Sequence, residues 1–362
     1  MATRYWVGGN GNWGTGGTTA NWSASSGGAS GVSIPNLNDD VILDAASGTV
    51  TITVGGTAQC RSIVATTFTG TFGGSGNIQL LGGNTGTQGS GKSLEWGTGM
   101  TLSYSGVYTI GANTGSGSIN FKGKIPPVGS NITFNGAAGI WSLVNDLTTL
   151  AQISIASGTF NTNNYNITAA RFDITGTGTK VINLGSSIIT ITQTIGAGWA
   201  NTSTAGLTLS GTYTIRFTGN ITSSVTFIGG GATYYNVELL RGSGTGTFII
   251  QGSNTFNSFT DATGTAAHDI TFTAGTTQTF QNFNVRGASG LARVRFLAAA
   301  GTTPILVKTG SGFVYADYLN LGANVTTASP ANTWYAGYNS IGTGTGWVLR
   351  NPLGLLTMGV GG

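Results

Sequence analysis

Thr233-Tyr-Tyr-Asn-Val237, Thr255-Phe-Asn-Ser-Phe259 and Thr279-Phe-Gln-Asn-Phe283 share one pattern, Thr-aromatic-polar-Asn/Ser-apolar. The copies recur about every 22 to 24 residues, a period typical of solenoid repeats. A degenerate copy, Thr303-Pro-Ile-Leu-Val307, continues the series at the same step. A second series runs alongside: Val225-Thr-Phe227, Phe248-Ile-Ile250, Ile270-Thr-Phe272 and Val294-Arg-Phe296. Two strand types repeating together at this period describe one rung of a parallel β-helix. Each rung buries its inward alternate residues on the rungs above and below. The expected fold class is all-β, a parallel β-helix or β-solenoid.

The same signal extends outward in weaker form. Val50-Thr-Ile-Thr-Val54, Ile132-Thr-Phe134, Ile153-Ser-Ile155, Ile189-Thr-Ile-Thr192 and Leu207-Thr-Leu209 alternate apolar and polar residues, as half-buried strands do. Thr159-Phe-Asn161 and Thr179-Lys-Val-Ile-Asn-Leu184 resemble worn copies of the rung. Gly-Thr, Gly-Ser and Asn-Gly turns punctuate them, and no helical period of useful length survives the glycines. Roughly 300 residues at this period make about thirteen rungs, a rod of about 60 Å at roughly 4.8 Å per rung.

Composition agrees. Gly fills 63 of 362 positions and charged residues only 7 %, yet the hydrophobic fraction is 39 %, so the chain can bury a core. Six prolines cannot sustain a collagen repeat. Fourteen Lys and Arg against ten Asp and Glu are spread from Arg4 to Arg350, without the clustering that a nucleic-acid footprint needs. Cys60 is the only cysteine, which excludes an intrachain disulfide. No apolar h-region follows Met1 and no run approaches the roughly 18 apolar residues of a membrane span, so the expectation is a protein made in a cytoplasm, without membrane insertion.

Aromatic residues crowd both ends: Trp6, Trp13 and Trp22 at one, Trp334, Tyr335, Tyr338 and Trp347 at the other. This suggests a cap or attachment region over 1–48, a solenoid over 49–325 and a C-terminal cap over 326–362. Tyr5-Trp-Val-Gly-Gly-Asn-Gly-Asn-Trp13, Asn21-Trp22, Pro35 and Asn38-Asp-Asp-Val-Ile42 resemble the opening of β-helical phage virion proteins. Related openings occur in passenger regions of autotransporter-like adhesins. Ile270-Thr-Phe-Thr-Ala-Gly-Thr-Thr-Gln-Thr-Phe280 resembles their rungs, and Trp334-Tyr-Ala-Gly-Tyr-Asn-Ser340 through Trp347 their last turns. Together these stretches cover about a third of the chain. The resemblance implies a virion protein such as a tail fibre or spike subunit, a homo-oligomer expected to be a trimer. It would touch other virion proteins and host surface polysaccharide. A capsid decoration or head-fibre protein, a bacterial surface adhesin and a polysaccharide depolymerase are the alternatives.

Candidate chemistry is thin. Gly86-Thr-Gln-Gly-Ser-Gly-Lys92-Ser93 matches the P-loop pattern, but Leu94-Glu-Trp-Gly-Thr-Gly99 cannot open the helix that a P-loop requires. Gly9-Asn-Gly-Asn-Trp-Gly14 matches a dinucleotide fingerprint without the strand, helix or acid around it. Glycoside hydrolysis needs two carboxyl groups about 5 to 9.5 Å apart. Only Asp39/Asp40/Asp44 and Asp261/His268/Asp269 are locally dense. The first trio reads as turn-binding, with a Ca²⁺ site as its alternative. His268 is the only histidine, so no zinc cluster can be written. No catalytic residue, cofactor or metal is assigned.

The aromatic ladder has the stronger functional claim. One ring of each pair Tyr234/Tyr235, Phe256/Phe259 and Phe280/Phe283 should stack in the core. Outward members, with Tyr234, Tyr235, Phe256 and Phe280 as candidates, would offer a face to sugar rings or a neighbouring chain. Leu353, Leu355, Leu356 and Met358 make the last residues apolar and are expected to form a docking tail.

Overall fold

A computed structural model describes residues 2–81, 91–111 and 115–350. The chain is all-β, 51 % strand and 2 % helix, and winds as a parallel β-solenoid of about 13 turns. It divides into two compact units, one of residues 2–189 and 203–213, the other of 190–202 and 214–350.

In the first unit two inward columns carry the core. Val41, Ile63, Leu94, Ile119 and Leu143 lie at equivalent places on successive parallel strands. Ala58, Ile78, Tyr108, Ile132, Ile153 and Phe172 form the second column. All of them are buried. This is the period-2 alternation at work, since each strand sends every other residue inward to meet its counterpart one turn away.

Parallel pairing begins almost at once. Thr3–Trp6 pairs with Asp40–Ile42, and Gly11–Trp13 with Thr51–Val54. An unpaired outer edge would expose a row of backbone groups. Here Trp22–Ser23 runs antiparallel along Tyr5 and Trp6 and covers that half of the edge. Trp6, Trp13 and Trp22 fill the space beneath, with Trp22 edge-on to the other two at 5.0 and 5.4 Å. Residues 2–48 hold both first-turn strands, the segment that partly covers one of them, and Asp40–Ile42 of the next turn.

One corner of this unit explains part of the glycine content. A Cβ placed on Gly76 would lie 2.0 Å from the Gly56 carbonyl oxygen, and one on Gly106 1.8 Å from that of Gly76. Three successive turns cross there in backbone contact, and any side chain would push them apart.

In the second unit the sequence repeats appear as registers. Tyr234 pairs with Phe256 and Phe256 with Phe280; Val225 pairs with Phe248 and Phe248 with Ile270. Two expected steps differ. Ile270 meets Phe296, while Val294 meets His268. Thr279 meets Val307, where the repeat placed it opposite Thr303. Turn length is free to vary, and the step from Thr279 to Val307 is much longer than that from Ile153 to Phe172, because the turns lie outside the ladder. Strand pairing is set by the inward side chains. Leu319–Ser329 is one continuous strand across position 325. Parallel pairing then continues through Val314–Ala316, Trp334–Ala336 and Trp347–Leu349.

Candidate functional site: an exposed aromatic face and a cationic cleft

The expected ladder is inside the protein. Tyr234, Phe256 and Phe280 are buried, as are Phe259 and Phe283, so none of them can touch a sugar or another chain. Two residues between each pair of buried positions, 235–236, 257–258 and 281–282, turn toward the surface. The strand therefore rounds a corner, and positions three apart both point inward. Phe256 and Phe280 stack at 5.4 Å with 13° between planes, and Phe259 and Phe283 at 6.1 Å and 18°. Of the candidates only Tyr235 reaches the surface, half-buried, and its corner is polar: Asn257 Nδ2 donates to Asn236 Oδ1 at 3.0 Å. Leu353, Leu355, Leu356 and Met358 lie outside the described residues.

Gly86 to Ser90 of the P-loop match also lie outside them, but Lys92–Glu95 is a β-strand. The helix that would aim its N-terminal N–H groups at phosphates is replaced by a ladder strand.

Each of the ten carboxylates has a donor. Asp39 accepts from the backbone N–H of Ala2 and Asn36. Asp40 is paired with buried Arg61, and Asp44 caps the short helix Ala45–Ser47. The Asp39/Asp40/Asp44 trio is therefore structural, tying turns and one ion pair. Glu95 is held by Lys92, Asp173 by Arg171 and Gln152, and Glu238 by Arg216. Asp146 accepts from Asn166 N and Asp317 from Tyr338 N, both at 2.8 Å. Asp261 contacts His268 and Arg241 in the interior, and Asp269 takes a bidentate grip from Arg295 at 2.8 and 2.7 Å. The Asp261/His268/Asp269 cluster thus divides, with two side chains buried and one on the surface.

The aromatic face stands elsewhere. In the parallel strands Val314–Ala316 and Trp334–Ala336, Val314, Ala316, Trp334 and Ala336 point inward. Alternation then sends Tyr315 and Tyr335 outward on neighbouring turns, stacked at 5.1 Å and 15°. Phe313 packs on both, at 6.1 and 5.5 Å, and the Arg350 guanidinium lies 4.4 Å over the Tyr335 ring. Phe313 is 56 % and Tyr315 60 % exposed, a large apolar surface to leave in water. Val314-Tyr-Ala316 and Trp334-Tyr-Ala336, one turn apart, are the sequence trace of this face.

A cleft of about 360 Å³ opens in the same unit beside strands His268–Phe272 and Val294–Ala298. Its wall is an outward row in strict register: Asp269, Arg295 and Asn320. Facing it is a turn closed by the Ala288 N–H donating to Ala292 O, with Leu291 at its tip. Arg293 reaches from the base of that turn and donates from Nε to Asn339 O at 2.8 Å.

Set beside models of known protein families, curated proteins and solved structures, the chain matches none.

Proposed function

We propose that this chain is a non-enzymatic structural protein of a phage particle, an appendage subunit of the tail-fibre or spike kind that meets host surface glycan. The observation that carries the glycan contact is the exposed Tyr315 ring stacked on half-buried Tyr335, with exposed Phe313 beside it. Aromatic rings with phenol hydroxyls offer an apolar plane to the C–H face of a sugar and polar tips to its hydroxyls. Asp40, Glu95, Asp173, Glu238, Asp261 and Asp269 are each held in an ion pair, which supports a binding role over a cleaving one by leaving few carboxyl groups for the pair that hydrolysis needs. The placement on a virion rests on the resemblance of the N-terminal segment and closing turns to phage β-helical proteins. In this reading the subunits form a homotrimer attached to other virion proteins.

Electron microscopy of particles labelled with an antibody to this chain tests the location, and label on an appendage is expected. Binding of the purified protein to host surface polysaccharide tests the contact. Tyr315→Ala with Tyr335→Ala should abolish it while strand circular dichroism is retained. Release of oligosaccharides from that polysaccharide would overturn the non-enzymatic reading.

A further inference from the structure

We infer that the cleft between the Ala288–Ala292 turn and the Asp269–Arg295–Asn320 row binds the carboxylate of an acidic sugar residue. Two arginines reach the cleft, and they are not equivalent. Arg295 is already neutralised by its bidentate pair with Asp269, which stiffens the wall. Arg293 is different. Its Nε is anchored on Asn339 O, and its two terminal nitrogens have no hydrogen-bond acceptor among the described residues. A guanidinium held at one corner, with its other donors free, is preorganised for a carboxylate's two oxygens.

The remaining lining suits a sugar ring. Asn320 supplies an amide, and Thr245 a hydroxyl, for ring hydroxyls. Leu291 is 95 % exposed, yet its turn is fixed, because Ser289 Oγ accepts from the N–H of Leu291 and Ala292 at 3.3 and 3.2 Å. A held, water-exposed leucine over a polar cleft can cover the apolar face of a pyranose. The volume, at the small end for ligand pockets, suits one or two such rings. Charge selects the anion. Arg293, Arg295 and Asp269 sum to one positive charge, enough for a monoanion, and the Asp269 carboxylate repels a dianionic phosphate.

The binding chemistry stands apart from the aromatic face; only the source of the sugar rests on the glycan reading above. The test is calorimetric titration of the full chain with glucuronate, glucuronamide and inorganic phosphate. Glucuronate should bind at least tenfold more tightly than the amide or phosphate, and more weakly as salt rises. Arg293→Gln should cost at least tenfold in glucuronate affinity, and Arg293→Lys less. Leu291→Ala, at a side chain too exposed to affect folding, should cost several-fold. Equal binding of acid and amide, phosphate bound as tightly as glucuronate, or an unchanged Leu291→Ala variant would overturn the inference, even if Arg293→Gln fails to fold. Tyr315→Ala should leave glucuronate binding intact. Loss of host-polysaccharide binding in that variant alone therefore reports on the aromatic face, and loss of glucuronate binding in Arg293→Gln alone reports on the cleft.

Discussion

Nε2 of His268 stands 3.1 Å from Oδ2 of Asp261, and neither side chain has any solvent contact. Arg241 Nε lies 3.3 Å from the same oxygen, also fully buried, with its guanidinium 5.9 Å from the Phe248 ring centroid. Arg241 also donates to the carbonyls of Gly246 and Asp269, at 2.8 and 3.2 Å. Burial pushes the Arg241 guanidinium below its ordinary value, and the Asp261 carboxylate pulls it back up. Asp261 occupies a column position whose neighbours one turn away are Leu239 and Val285. An ionic cluster has replaced an apolar residue in the core, out of reach of any substrate.

Removing one member should therefore cost far more than removing all. Asp261→Ala leaves Arg241 buried without its counter-charge, and about 3 to 5 kcal/mol of stability should be lost. Replacing Arg241, Asp261 and His268 together by Met, Leu and Phe should restore most of it, since packed apolar groups need no pairing. Unfolding midpoints in urea decide: a triple variant no more stable than Asp261→Ala would show that the cluster is more than paired charge.

The solenoid was legible because its core repeats. Inward residues such as Phe256 and Phe280 must match across turns, so their spacing survives in the sequence. Which rings faced outward was not legible. The corner between Phe256 and Phe259 is made by Asn257 and Ser258, residues equally at home in a straight strand. The real aromatic face left a readable trace in Val314-Tyr-Ala316 and Trp334-Tyr-Ala336, but at a shorter step than the copies that define the repeat. The cleft left none, because the anchor of Arg293 is the carbonyl of Asn339, far along the chain. The turn-binding role expected for Asp39, Asp40 and Asp44 from local chemistry holds for Asp39 and Asp44, while Asp40 pairs with buried Arg61 from the next turn.

The core should tolerate shape changes poorly and charge not at all. Phe256 touches Phe227, Tyr234, Phe259 and Phe280, so Phe256→Ala should cost about 3 to 5 kcal/mol. Phe272, buried edge-on against Phe296, carries the sharper test. Phe272→Asp puts an unpaired charge into the column and should yield no folded protein, read as loss of strand circular dichroism in the soluble fraction. Normal folding of that variant would place Phe272 outside the core.

Gly106→Ala should be among the most damaging single-methyl additions in the chain. The new Cβ meets the Gly76 carbonyl at 1.8 Å and the Tyr104 hydroxyl at 2.6 Å, and the first contact is with backbone that cannot rotate away. Gly123→Ala is no clean control, since its φ of 73° strains any side chain. Gly99→Ala is the fair comparison, as its Cβ meets nothing closer than 3.4 Å. Thermal unfolding should fall sharply for Gly106→Ala and little for Gly99→Ala. Similar midpoints would mean that the corner opens without cost.

Alkali should unfold the protein through its buried phenols. Burial lifts Tyr234 from 10.0 to about 12, against the smaller opposing effect of hydrogen bonds from Asn201 and Trp199. Burial raises Tyr104 and Tyr108 as well. A phenol whose folded value is raised stays protonated in the native state where the unfolded chain has already released its proton. The native state then binds more protons, so stability falls as pH rises. The contribution is whole below pH 10 and is lost between there and about 12, roughly 3 kcal/mol for Tyr234. Phenolate absorbance should therefore rise in two steps: exposed tyrosines first, then buried ones together with loss of strand circular dichroism. Tyr234→Phe removes one titrating group at the cost of its 2.7 Å hydrogen bond to Gly229 O, so it should lower stability at neutral pH and flatten the alkaline decline. An alkaline decline of unchanged steepness in that variant would show that Tyr234 does not couple folding to pH.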